Sequence, residues 1–174
     1  MLKQNATDSP GWRVRPMAPG DEAGKGWVHY KSWQEAYGGL VDQGYLDRMR
    51  PEQCVELARR FPESTLVAEA AGKIVGFAAF TPGRDQPGGE IIALYVLEAH
   101  QRRGIGKALL KACLERLEGL HPVYLWVLQG NEKAIRFYGA QGFRPSGLVK
   151  TIPLGRPVQV LQLVRQDACA REEE

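Results

Sequence analysis

The sequence predicts a mixed α+β fold built on one mostly antiparallel sheet, and three observations carry that expectation. Residues Ser64–Ala70 and Lys73–Thr81 are two strand-like stretches joined by Ala71-Gly72, a tight-turn pair that makes them a hairpin. Glu90–Val96 is almost continuously apolar, as a strand at the centre of a sheet must be when both its faces are covered. A helical pattern then leads into a further strand at Pro122–Leu128, which makes a β-α-β crossover. Hairpins combined with a crossover exclude an all-parallel sheet.

The remaining elements follow in chain order. Asp21–Tyr37 places Val28, Tyr30, Trp33, Ala36 and Tyr37 largely three or four apart, which is helical spacing, and Gly38-Gly39 stops it. A short helical turn is expected at Leu46–Met49. Pro51 then suits the first turn of a helix reaching about Arg60. Pro82–Gly89 is a loop. From Gly104 to Leu117 the apolar set Ile105, Leu109, Ala112, Cys113 and Leu117 describes one helix face. Asn131–Tyr138 is helical, with Asn131 a natural N-cap. Residues 147–152 and 158–165 pair as a closing hairpin around Pro153–Pro157.

With 174 residues the chain suits one domain, expected over residues 11–166, with a flexible lead at 1–10 and a solvated tail at 167–174. Hydrophobic residues at 44% and charged residues at 25% describe an ordinary globular protein. No apolar run approaches the roughly 18 residues of a membrane span, and the polar start shows no signal peptide. A net charge of +3 is too mild to argue for nucleic acid. Cys54, Cys113 and Cys169 form no metal motif and read as reduced thiols of a cytoplasmic protein. The three scattered histidines make no metal site either: His100 reads as solvated, His121 sits in a turn, and His29 is a weak candidate for an acceptor-site residue.

Chemistry concentrates after the central strand, in Gln101-Arg102-Arg103-Gly104-Ile105-Gly106-Lys107. Amide N–H groups at a helix start lack intrahelical partners and carry about half a positive charge. Two glycines allow close approach, and Arg102, Arg103 and Lys107 add charge, so the stretch describes a phosphate cradle. It is neither a Walker loop, since Gln101 and Ala108 break that pattern, nor a Rossmann turn, since Leu109 stands at the third glycine. On spacing alone, a glycine-softened helix start with solvated arginines is an equally good reading.

The second informative stretch is Asn131-x-x-Ala134-x-x-Phe137-Tyr138, followed by Gly142-Phe143. Ala134 and Tyr138 share a helix face. Together with the Gln101–Gly106 loop, about thirty residues earlier, it resembles the GNAT N-acetyltransferase superfamily over roughly residues 88–145.

The resemblance implies a single-domain sheet with a splayed central strand pair and acetyl-CoA as co-substrate. It implies that the backbone of Leu94, Tyr95 and Val96 holds the pantetheine arm, with the Leu94 N–H facing the acetyl carbonyl. Gln101, Arg102, Arg103, Gly104, Ile105, Gly106 and Lys107 hold the pyrophosphate. Asn131 and Ala134 meet the cofactor, and Tyr138 is the general acid for the departing thiolate. Glu90 stands where some members carry a base, and it reads equally as an exposed strand-end carboxylate. Trp126 replaces a glutamate found in ribosomal-protein acetylating members. Trp33, Tyr37 and Trp126 are the candidates for the acceptor site. The partner is then a small-molecule or peptide amine attacking directly, without metal, nucleic acid or membrane, and with room for a homodimer. A non-catalytic acyl-CoA-binding domain of the same fold is the alternative.

Overall fold

The structure, a computed structural model, describes residues 11–84 and 86–166. The lead at 1–10, and the tail at 167–174 with Cys169, lie outside the described residues. Seven strands form one sheet in the order β1-β2-β3-β4-β5-β7-β6. They are β1 (Trp12–Pro16), β2 (Thr65–Ala70), β3 (Lys73–Pro82), β4 (Gly89–Val96), β5 (Val123–Leu128), β6 (Arg144–Leu154) and β7 (Arg156–Arg165). The helices are α1 (Glu22–Tyr37), α2 (Gln43–Arg48), α3 (Pro51–Arg60), α4 (Ile105–Arg116) and α5 (Glu132–Ala140). No helix among the described residues is long and apolar enough to cross a membrane.

The expected elements are present, and one was missed. Trp12 and Val14 alternate with Arg13 and Arg15, but over only five residues. Pairing with β2, Trp12 against Ala70, gives this short edge strand the partner that its own length does not guarantee. Ala71 (φ 48°) and Gly72 (φ 73°) turn the predicted hairpin tightly, both in the left-handed region that two-residue hairpin turns demand. The closing hairpin is longer than expected, because β6 and β7 continue through their prolines to a turn at Gly155 (φ 75°).

One pairing decides the architecture. β4 and β5 run parallel, yet only Gly89–Val123, Glu90–Tyr124 and Ile91–Leu125 are in register. Beyond Ile91 the two strands part, although β4 continues to Val96 and β5 to Leu128. Apolar packing then differs on the two faces. Ile91, Val96, Leu125 and Val127 face α4 in the main core, with Tyr138 and Phe143 of the α5 region. Tyr95 and Ala93 face the other way onto Val28 and Phe77, while Trp126 and Leu128 join Trp33, Tyr37 and Tyr45 beneath α1 and α2. The gap between β4 and β5 thus joins two differently furnished faces.

Candidate active site

The gap opens as a cleft of about 580 Å³. One wall is β4 from Ile91 to Val96, and the opposite wall is Leu125, Trp126 and Val127 of β5. Past Ile91, β4 has no strand partner on this edge among the described residues. That edge is where an extended ligand can add main-chain hydrogen bonds.

At the C-terminal end of β4 sits the glycine-rich loop. Arg102 (φ 60°) and Gly104 (φ 82°) both occupy the left-handed region, and this double turn presents the first amides of α4. Gly104 caps the helix with no side-chain bond, and the first helical hydrogen bond recorded here runs from the Ala108 N–H to the Gly104 carbonyl at 3.0 Å. The amides ahead of Ala108 therefore remain available to an anion. Arg102, Gly104, Gly106 and Lys107 line the cleft. A Cβ on Gly106 would enter the cleft 3.5 Å from Phe137 and 3.9 Å from Leu94. Gln101 ties the loop together: its amide donates to the Val96 carbonyl at 2.9 Å, and its oxygen accepts from the Lys133 ammonium.

Helix α5 supplies the third wall. Asn131 caps it, accepting from the Ala134 N–H at 3.2 Å, and this bond sets the phase that brings Ala134 and Tyr138 onto the cleft. The Tyr138 ring packs edge-on against Phe137 and Phe143 and is 8% exposed. Burial, with smaller contributions from Tyr37 and Cys113, raises its pKa well above the usual phenol range, so it stays protonated.

The fourth wall is α1. Ser32, Glu35, Ala36 and Tyr37 reach the cleft. The Tyr37 and Tyr95 hydroxyls meet at 2.9 Å. Burial foremost raises the pKa of both phenols. His29 stacks on Tyr95, 5.9 Å between centroids at 14°, and lies outside the cleft lining. Burial and the neighbouring Lys25 lower its pKa to about 4, so it is neutral at physiological pH.

Most predicted residues converge: Leu94, Tyr95, Val96, Gln101, Arg102, Gly104, Gly106, Lys107, Asn131, Ala134, Tyr138, Tyr37 and Trp126 all line this one cleft. Four others stand elsewhere. Ile105 is a core residue, because the first turn of α4 must bury one side. Arg103 is exposed and outside the lining. Trp33 packs behind Tyr37 at 4.9 Å. Glu90 is neither exposed nor in the cleft: it is 3% exposed, at the closed end of the β4–β5 pair, where Arg84 binds both its oxygens at 3.0 Å. Tyr124 donates to it at 3.4 Å. His100 also differs from expectation, with its Nδ1 shut away from solvent. Lys133 and Ser32 were missed. Lys133 sits two residues after the cap, where a basic residue pairs with the loop, while nothing local marks Ser32.

Comparison with known proteins agrees with this geometry. The family model described as the acetyltransferase (GNAT) family matches residues 27–143. A probable N-acetyltransferase of Mycobacterium tuberculosis is 33% identical over 145 residues, covering 78% of this chain and 81% of that protein. A peptidyl-lysine N-acetyltransferase of Escherichia coli is 42% identical over 78 residues, covering 44% of this chain and 47% of its own. The fold matches that of the PaiA N-acetyltransferase of Thermoplasma acidophilum, solved with coenzyme A, at a TM-score of 0.67 and 20% identity over 90% of this chain and 99% of the other. It also matches a putative acetyltransferase of Salmonella typhimurium solved with acetyl-CoA, at 0.68 and 20% over 91% and 99%. With a family match spanning most of the cleft-forming elements and a relative similar along most of its length, this chain belongs to the GNAT acetyltransferase family.

Proposed function

We propose that this protein is an acetyl-CoA-dependent N-acetyltransferase that passes an acetyl group directly to a primary amine, of a small molecule or a peptide, in a ternary complex. In this reading residues 11–166 form the catalytic domain. The observation that carries it is the parting of β4 and β5. The gap has an anion cradle at one end, and it joins the face holding Tyr138 to the face holding Tyr37, Tyr95 and Trp126.

When bound, acetyl-CoA supplies the acetyl thioester. The amides at the start of α4, with Arg102, Lys107 and Lys133, suit its phosphates. The open edge of β4 suits its pantetheine amides, and a Leu94 N–H aimed at the carbonyl would stabilise charge developing there. The amine nitrogen bonds to the acetyl carbon as the carbon–sulfur bond breaks. Tyr138, kept protonated by burial, gives its hydroxyl proton to the departing sulfur. The amine's own proton leaves through solvent, which returns a proton to Tyr138 and closes the cycle; Glu90 is held by Arg84 outside the cleft. No cysteine lines the cleft among the described residues, and burial pushes the Cys113 thiol up to about 12, which favours direct transfer over an acyl-enzyme.

The test pairs binding with turnover. Acetyl-CoA at 100 times its Kd should stabilise the fold by about 2.7 kcal/mol, with ATP and NAD giving much less. Free thiol should then appear when amines are added. Stabilisation without thiol release across a broad amine panel would establish the binding-only alternative instead.

A further inference from the structure

The charges of the cleft are gathered at one end. Among the described residues its charged lining consists of Glu35, Glu98, Arg102, Lys107 and Lys133. Glu98, Arg102 and Lys107 follow the end of β4, Glu35 accepts the Glu98 N–H at 3.1 Å, and Lys133 donates to Gln101. The other end is where β4 and β5 part. Ile91 and Leu125 are the last pair in register, and Ile92 and Trp126 come next on their strands. Both line the cleft. From Ile92 to Val96, the last residue of β4, the extended strand runs about 13 Å, and the charged group begins beyond it.

The pairing of β3 with β4 accounts for Ile92. Phe80 faces Ile91 and Ala79 faces Ala93, so Ile92 is the extra residue of a β-bulge, and a bulge re-aims its side chain. Ile92 is left 47% exposed. An apolar side chain open to water inside a cleft gains when a ligand covers it. The nearby charges are held elsewhere. Arg84 binds both oxygens of Glu90 at the closed end, and the Lys150 ammonium, 4.0 Å from the centre of the Trp126 ring, stands outside the lining.

In the acetyl-transfer reading the cofactor runs from the cradle along β4 to place its carbonyl at the Leu94 N–H. The acceptor then enters from the side the cofactor leaves open, past Ile92 and Trp126. An apolar stem beside the amine would cover Ile92. A second ammonium there would lose water and meet no lining carboxylate. We propose that the acceptor is a primary amine on an uncharged apolar stem of several carbons, and that Ile92, facing the Trp126 wall, selects it. This rests on the acetyl-transfer reading. Such a stem belongs to a free alkylamine or to a lysine side chain.

The experiment measures initial rates of thiol release at saturating acetyl-CoA with ethylamine, butylamine, pentylamine, hexylamine and putrescine. The n-alkylamines share one basicity, so chain length is the variable. From ethylamine to hexylamine kcat/KM should rise at least about tenfold, somewhat less than two buried methylenes at about fourfold each. Putrescine, as long as pentylamine but ending in a second ammonium, should lie at least about tenfold below it. Ile92→Ala should cost hexylamine at least about fivefold more than ethylamine. Ile92→Glu should raise putrescine above pentylamine. Nα-acetyllysine amide carries the stem on a peptide unit: a kcat/KM above that of butylamine assigns it to a lysine, and one below assigns it to a free amine. Flat rates along the alkyl series, or putrescine faster than pentylamine in the unaltered protein, overturn the inference and leave acetyl transfer standing, whether or not the variants fold. Thiol release with other amines but none of these does the same. Release with none of a broad amine panel overturns both.

Discussion

The two ends of the cleft are built differently. The end proposed for the cofactor comes from β4, α4 and α5 with the loops that lead into them, and each part answers to a local rule. An apolar strand feeds a loop with two left-handed residues, a helix starts without a side-chain cap, and an asparagine caps the next helix. The end proposed for the acceptor is assembled from distant pieces: Ser32 and Tyr37 of α1 and Trp126 of β5. Nothing in the sequence near any one of them predicts the others.

The largest expected effect breaks the junction between the two ends. Tyr138→Phe keeps the ring contacts with Phe137 and Phe143 and removes the hydroxyl. Turnover should fall about 10²–10⁴-fold, the usual worth of a positioned acid, while acetyl-CoA affinity hardly changes. Full turnover under conditions where chemistry limits the rate would remove Tyr138 from the mechanism.

Next comes the cofactor end alone. The Cβ of Gly106→Val meets Phe137 at an ordinary 3.5 Å, so the fold should survive. Its methyl groups then occupy the cleft, and the Kd for acetyl-CoA should rise about tenfold to a hundredfold, since overpacking costs about 1–3 kcal/mol. Gly104→Val should instead lower Tm as well, because φ of +82° strains any side chain. Calorimetry with thermal scans separates the two, and an unchanged Kd in a folded Gly106→Val protein would argue against the cradle.

A smaller effect concerns Glu90. Glu90→Gln weakens a bidentate pair whose Arg84 side chain is 60% exposed, so solvent screening holds the loss to about 1–2 kcal/mol. It should appear as a lower Tm, with the pH–rate profile unmoved. A rate that collapses at low pH and recovers as pH rises would instead make Glu90 the base.

The smallest effect probes the anchorage of the acceptor end. Arg15 binds both oxygens of Asp21, at 2.6 and 2.9 Å, just ahead of α1, and also reaches Glu69 of β2 at 2.8 Å. The Arg15 hydrogen bonds lower the Asp21 pKa below its ordinary 3.8. A depressed carboxyl stabilises the fold above its unfolded pKa, and that contribution is lost as pH falls through the folded value. Tm should therefore decline below about pH 4. Asp21→Asn should flatten part of that decline, and an identical acid profile in the variant would show that the pair contributes nothing measurable.

The strands and helices of the cofactor end were readable because their signals sit within a few residues of where they act. Strand β1 escaped because five alternating residues are too few to stand out, and pairing with β2 supplies the rest. Glu90 shows the opposite limit. Its position suggested either a base or an exposed carboxylate, yet Arg84 and Tyr124 draw it inward and away from the cleft. Trp33 and Ile105 sit beside true cleft residues, and only the phase of their helices turns them into packing.

Helix α1 marks the boundary between what local sequence can specify and what tertiary contact adds. Spacing and the following glycines were enough to predict a helix over these residues. They did not tell which side would be buried, because Lys25, His29, Ser32 and Trp33 give it no clean apolar stripe. Lys25 is 5% exposed, its ammonium 4.4 Å from the centre of the Phe77 ring, and His29 stacks on Tyr95. Those contacts exist only once β3 and β4 have paired and α1 has docked on them. Backbone conformation at a turn or cap depends on near neighbours in the chain. The partners of a buried polar side chain come from strands far away, and here they decide that Lys25 and His29 are turned inward.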